Sequence, residues 1–274
     1  MLERGIGSFN GARDVAGYAP VRNRDAPVCE DHSVSIFPII VAAISLVFGV
    51  TVLGQWTRRR RPQQLLWGVA LLMATVAAAA YVGVLASGNE LSFRLYYIFG
   101  ALLNAAYLGM GSLYLALPRR VSDLILAALS VASALGLALM LVAPIDAVKL
   151  HAVQITGGAG TGVIKPGLWL IIFILHNIFA AVTVAGVALY SAYKVLRRQV
   201  PRRFAVANIT IAIGVFVISL AGTSARLGAS IFWVTQAIGF IILFGGFLLT
   251  VNLPALAARR NTADIPAGQG AARV

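Results

Sequence analysis

Acidic side chains are scarce in this chain: nine Asp and Glu stand against 22 Lys and Arg in 274 residues, and only 11% of residues carry charge. Cysteine occurs once, at Cys29, and histidine three times, at His32, His151 and His176. One cysteine excludes an intramolecular disulfide. A buried metal takes three or four His, Cys or carboxylate ligands, and the apolar runs offer one histidine and no interior carboxylate, so no metal is expected. Bis-histidine haem fails for want of a second buried histidine, and no cofactor is expected. The Ser, Asp or Zn constellation of an intramembrane hydrolase is also missing, so the chain does not read as an enzyme.

What the sequence has in excess is apolar surface. At 59% hydrophobic residues it lies far outside the soluble range and reads as an all-α integral membrane protein. A bilayer core about 30 Å thick needs about 20 apolar helical residues, because backbone polar groups must be satisfied within the segment. Seven segments meet that need, at roughly 33–56, 65–87, 93–117, 122–144, 168–195, 204–225 and 231–253. The expected architecture is a seven-transmembrane-helix bundle over residues 33–253. Residues 1–32 read as a disordered extracytoplasmic tail without the basic-then-apolar order of a cleavable signal peptide, and 254–274 as a disordered cytoplasmic tail.

The net charge of +13 does not point to nucleic acid, because its distribution follows the spans. Arg58 to Arg61, Arg119 and Arg120, the cations from Lys194 to Arg203, and Arg259, Arg260 and Arg273 fall on one side of a seven-span chain. By the positive-inside rule that side is cytoplasmic, which puts the N-terminus outside and the C-terminus inside the cell membrane. The same arginine runs suit anionic lipid headgroups. A second expectation is symmetry. Residues 86–118 align without gaps on 222–254 with six identities in 33, including Gly109 with Gly245 and Pro118 with Pro254. A 3 + 1 + 3 parallel repeat is therefore possible.

This order and topology resembles the layout of sugar facilitators of the SWEET type and of microbial rhodopsins. The rhodopsin likeness implies a retinal-bearing lysine in the seventh span, and IFWVTQAIGFIILFGGFLLTVNL has none. The facilitator likeness implies a Pro-Gln pair; Pro62-Gln63 lies in a basic turn and has no counterpart after the fifth span. No family follows from layout alone.

Polar residues within the spans gather in the outer half. His176 lies about 12 Å into the fifth span at 1.5 Å per residue. Gln236, Thr235 and Trp233 lie at comparable depth in the seventh, Asn104 near the centre of the third, and Tyr97 above it. Apolar walls with a few such groups describe a small-ligand site, so these six are the candidate ligand-binding residues. Asn177 points about 100° from His176 and is the candidate for an interhelical contact. Glu90 and Arg226, equivalent in the repeat alignment, are the candidate outer gate. The glycine-rich TGGAGTG, 156–162, lacks the Lys-Ser/Thr of a phosphate loop and reads as a flexible part of the longest connection, able to cover the outer mouth. Small residues in the second, third and seventh spans suit close helix packing or a homodimer face.

The functional expectation is a membrane protein that binds a small molecule in an outward-facing pocket, for transport or sensing. The alternative is a non-catalytic accessory or scaffold subunit of a membrane complex. The topology makes Cys29 reactive toward a membrane-impermeant thiol reagent on intact cells; protection of Cys29 until the cells are lysed overturns the orientation.

Overall fold

The computed structural model describes residues 33–197, 202–226 and 231–263. Cys29, His32, Arg198, Asp264 and Arg273 lie outside them, and so do the side chains of Arg202, Arg203, Asn208, Thr223, Arg226, Arg259 and Arg260. The described chain forms nine α-helices: α1 Ser33–Arg59, α2 Pro62–Ser87, α3 Glu90–Tyr96, α4 Ala105–Ala116, α5 Arg119–Val142, α6 Ala147–Thr156, α7 Leu168–Leu196, α8 Arg202–Arg226 and α9 Phe232–Ala263. Among the described residues the only β pairing is one isolated antiparallel bridge, Ile145 with Ile164.

Six stretches are long and apolar enough to cross a membrane: Ile36–Arg59, Pro62–Ser87, Glu90–Ala116, Arg119–Val142, Leu168–Ser191 and Phe232–Leu249. The molecule is thus a multi-pass membrane helical bundle. The sixth expected span, 204–225, falls in α8, where the described apolar stretch is Ile209–Gly222. Helix α9 runs on to Ala263, past the boundary expected at 253.

Two departures from the sequence reading position the site. The third span is not α-helical throughout. Tyr97–Asn104, between α3 and α4, is a π-helical segment, whose wider turns leave the backbone hydrogen bonds out of α register. The aligned residues 233–240 are α-helical in α9, so the two proposed halves differ here. The long connection after α5 is also ordered, not a flexible loop. Asp146 caps α6, accepting from the Lys149 N–H, and Gly157 ends it in the left-handed conformation at φ 68°. The chain then folds back: the Asp146 N–H donates to the Val163 carbonyl at 2.8 Å and the Lys165 N–H to the Pro144 carbonyl at 2.9 Å. Val163 and Ile164 are buried in the main apolar core.

Helix α1 packs along α2 and α9; α2 also meets α3, the π segment, α4 and α6; α4 meets α7, α7 meets α5 and α8, and α8 pairs with α9. The ring α1, α2, α4, α7, α8, α9 is therefore closed. Half of the buried residues of α2 are small, Gly68, Ala70, Ala74, Ala77 and Ala78, and small residues let several helix backbones approach one another where lipid supplies no hydrophobic drive. Aromatics bridge the rest: Phe48 of α1 packs on Phe244 and Phe247 of α9 with centroids 5.0 and 4.8 Å apart.

The α8–α9 contact rests on glycines. A Cβ at Gly214 would lie 2.6 Å from the Leu243 backbone nitrogen, and one at Gly246 would lie 2.8 Å from that of Ile211. Gly245 faces open space. Gly214→Ala is expected to cost about 1–3 kcal/mol of stability through overpacking against backbone, with Gly245→Ala staying within about 0.5 kcal/mol of the parent. Thermal unfolding in detergent compares them, and equal melting temperatures would refute the glycine-dependent contact.

Candidate functional site

Aromatic side chains from four spans meet at one end of the bundle. Tyr81 comes from the last turns of α2, Phe93 and Tyr96 from α3, Tyr97 from the start of the π segment, Trp169 and Phe173 from the first turns of α7, and Phe232 and Trp233 from the start of α9. Their rings touch in a continuous chain. Trp233 lies 4.5 Å from Tyr81 and 5.9 Å from Tyr96, Tyr96 lies 5.9 Å from Tyr97, and Tyr97 stacks at 6.1 Å on Phe173. Such offset and edge contacts add about 0.5–1.5 kcal/mol per pair beyond area burial.

The glycine-rich segment roofs this cluster. The Tyr81 hydroxyl donates to the Gly158 carbonyl at 2.7 Å and the Tyr96 hydroxyl to the Ala159 carbonyl at 3.1 Å. Gly160, at φ 76°, lies so close over the Phe93 ring that a Cβ there would collide with it. Sequence placed TGGAGTG at the mouth but gave no sign of these bonds. They join residues 77 and 63 positions apart.

The six candidate ligand residues separate into groups. Trp233 and Gln236 share the inward face of α9, three residues apart. Trp233 is 5% exposed. Its indole N–H is directed at the Tyr81 hydroxyl oxygen, whereas the Gln236 Oε1, also buried, has no partner among the described residues. Thr235 spends its hydroxyl on the Ile231 carbonyl of its own helix, at 3.0 Å. Tyr97 belongs to the aromatic chain, and Asn104 closes the π segment, half-buried.

His176 faces α5. Its Nδ1 lies 2.9 Å from the Ile172 carbonyl and its Nε2 2.9 Å from the Ser133 hydroxyl. A carbonyl only accepts, so Nδ1 carries the proton and in the neutral ring Nε2 accepts from Ser133. Nδ1 thus anchors the ring to its own helix, and Nε2 joins α7 to α5. Asn177, the neighbouring residue, donates to the Ala101 carbonyl of the π segment at 3.2 Å and to Phe173 at 2.8 Å. It supplies a donor where the π turns disturb the regular ladder. Ser133 was not singled out by sequence, although it lies on the buried stripe Ser122, Leu129, Ser133, Gly136 and Met140 of α5.

The proposed outer gate is described on one side only. Glu90 is exposed in the first turn of α3, behind the Asn89 cap, and suits the positive end of the helix dipole. Arg226 ends α8, and its side chain lies outside the described residues. Arg94 donates to the Met140 carbonyl at 2.6 Å, capping the C-terminal end of α5 with a cation. Among the described residues no three His, Cys, Asp or Glu side chains come together as a metal would require. No protein-family model, curated protein or solved structure matches the chain.

Ser133 and His176 should prove energetically coupled. In a double-mutant cycle of Ser133→Ala and His176→Phe, the interaction term is expected at about 0.6–1.7 kcal/mol, the range for interhelical hydrogen bonds in bilayers. Strict additivity of the two losses would show that the contact does not hold α5 on α7.

Proposed function

We propose that this protein binds a small uncharged molecule within the aromatic end of its bundle, for transport or sensing, and has no catalytic activity of its own. The carrying observation is the Gln236 Oε1 on α9, buried beside the aromatic cluster and without a hydrogen-bond partner among the described residues. A buried polar group left without a partner costs about 1–3 kcal/mol, and one beside aromatic walls suits a ligand that supplies the missing donor.

The proposed topology is seven crossings of the cell membrane, with the N-terminus outside and the aromatic end facing outward. In support, α8 has 25 residues, about 37 Å of helix, and pairs closely with α9. The inner end carries most of the cations, three of them stacked on an aromatic residue one turn earlier: Arg60 over Trp56 at 4.9 Å, Lys194 over Tyr190 at 4.5 Å and Arg197 over Tyr193 at 5.3 Å. Aromatic rings with snorkelling cations suit an interface rich in anionic headgroups. The 3 + 1 + 3 repeat remains part of this proposal at the level of span order alone. The second reading, an accessory subunit joined to a membrane partner or to a second copy, draws support from the filled aromatic interior.

Thermal shift of the detergent-solubilised protein against a panel of uncharged small molecules separates the two. Binding should raise the melting temperature of the parent and leave that of Gln236→Leu unmoved. The variant itself should melt no lower than the parent, since it removes an unsatisfied group. No shift from any compound, together with a copurifying membrane partner, decides for the accessory reading.

A further inference from the structure

The face that α7 turns away from the bundle is ordered along its length like an amphiphile. Val182, Gly186, Leu189 and Tyr193 recur every three or four positions and so form one line down the helix. Arg197, whose N–H still donates to the Tyr193 carbonyl at 3.0 Å, continues the line just past the helix end. All five are exposed, and because α7 is long and apolar enough to cross a membrane over Leu168–Ser191, the apolar part of this face meets lipid. A Cβ at Gly186 would have nothing within 4 Å, so between Val182 and Leu189 the helix surface dips into a shallow apolar groove. From Val182 to Tyr193 the helix rises about 16 Å, close to half of a bilayer core about 30 Å thick.

Polar groups gather where this track ends. Tyr190 is exposed beside the line, with the Lys194 ammonium 4.5 Å from its ring centroid, and the Arg197 guanidinium stands 5.3 Å from that of Tyr193. Lys194 and Arg197 are three residues apart and thus neighbours. Among the described residues the only ion pair is Arg119 with Asp123, so neither α7 cation meets a carboxylate there. A second copy of the chain suits the face poorly. In a two-fold dimer about an axis along the membrane normal, each copy would set these cations against the same cations of the other.

We propose that this face of α7 holds one anionic phospholipid. Its phosphodiester bridges Lys194 and Arg197, one free oxygen to each, through charge-assisted hydrogen bonds. Tyr190 and Tyr193 stand at the level of the glycerol esters, and an acyl chain lies in the groove at Gly186. The site is separate from the aromatic end of the bundle and does not depend on the small-molecule reading.

Native mass spectrometry of the full-length protein in detergent, titrated with phosphatidylglycerol and with phosphatidylcholine of the same chains, gives Kd for the first bound lipid. The parent should prefer phosphatidylglycerol. Each cation near an anionic surface contributes about fivefold, so Lys194→Gln/Arg197→Gln should weaken phosphatidylglycerol binding about 30-fold and remove the preference. Arg58→Gln/Arg59→Gln takes as much charge from the end of α1, across the helix ring, and should stay within about twofold of the parent because separated exposed charges are screened. Gly186→Phe fills the groove without changing charge and should weaken phosphatidylglycerol binding, while the lipid-free variant melts with the parent because the added ring meets open space. Equal losses in the two double variants would assign the effect to overall charge and overturn the proposal. So would a parent that binds both lipids alike, or Gly186→Phe binding phosphatidylglycerol as tightly as the parent. Displacement of the lipid by chain-free glycerophosphoglycerol at equal concentration would make this a soluble-phosphate site, and a parent dimer that Gly186→Phe converts to monomer would give the face to a second copy; either result also overturns it.

Discussion

Inside a bilayer no water competes for hydrogen bonds, so a polar group in the bundle must find its partner within the protein or bear the cost of lacking one. Much of this structure follows from that requirement. The Tyr81 and Tyr96 hydroxyls draw backbone carbonyls of the glycine-rich segment down onto the aromatic cluster. Arg94 reaches the end of α5 at Met140. Asn177 reaches the π segment at Ala101, and His176 ties α5 to α7 through Ser133. Ser45 and Thr75 join α1 to α2 at 3.0 Å in the same way. Glycine at the roof is needed for a different reason: only a residue without a Cβ can lie over Phe93 at positive φ.

Against that background Gln236 on α9 stands apart. The other polar groups named above are held by specific partners in neighbouring helices or in the roof, whereas the Gln236 Oε1 is buried without a partner among the described residues. Gln64 Oε1 and the Ser122 hydroxyl share that condition near the starts of α2 and α5. Its place one turn beyond Trp233 of the aromatic cluster is what gives Gln236 chemical meaning.

The helices were largely legible because span length and composition are read directly from sequence, and the cation distribution follows them. Asp146 and Gly157, a cap and a left-handed stop, would have revealed α6, but the glycine run beyond them suggested only flexibility. The π segment was not legible, since it changes the winding of the helix without changing its apolar composition. Site residues were legible as types and not as pairs. Sequence shows that His176 is polar and buried, but its partner Ser133 lies 43 residues away on a helix whose rotation only packing decides. The one-residue spacing of His176 and Asn177 did carry information, because adjacent helical residues must face different neighbours.

The roof also bears on biogenesis. A chain inserted from its N-terminus places α2 and α3 in the membrane before residues 157–164 have been made. At that stage the Tyr81 and Tyr96 hydroxyls lack the Gly158 and Ala159 carbonyls, and the apolar cluster lacks Val163 and Ile164. The first three spans thus carry an unfinished interior that the connection between α5 and α7, then Phe173 of α7 and Trp233 of α9, complete. Assembly of the aromatic end is a late event, set by the order of the chain and not by the strength of any one helix.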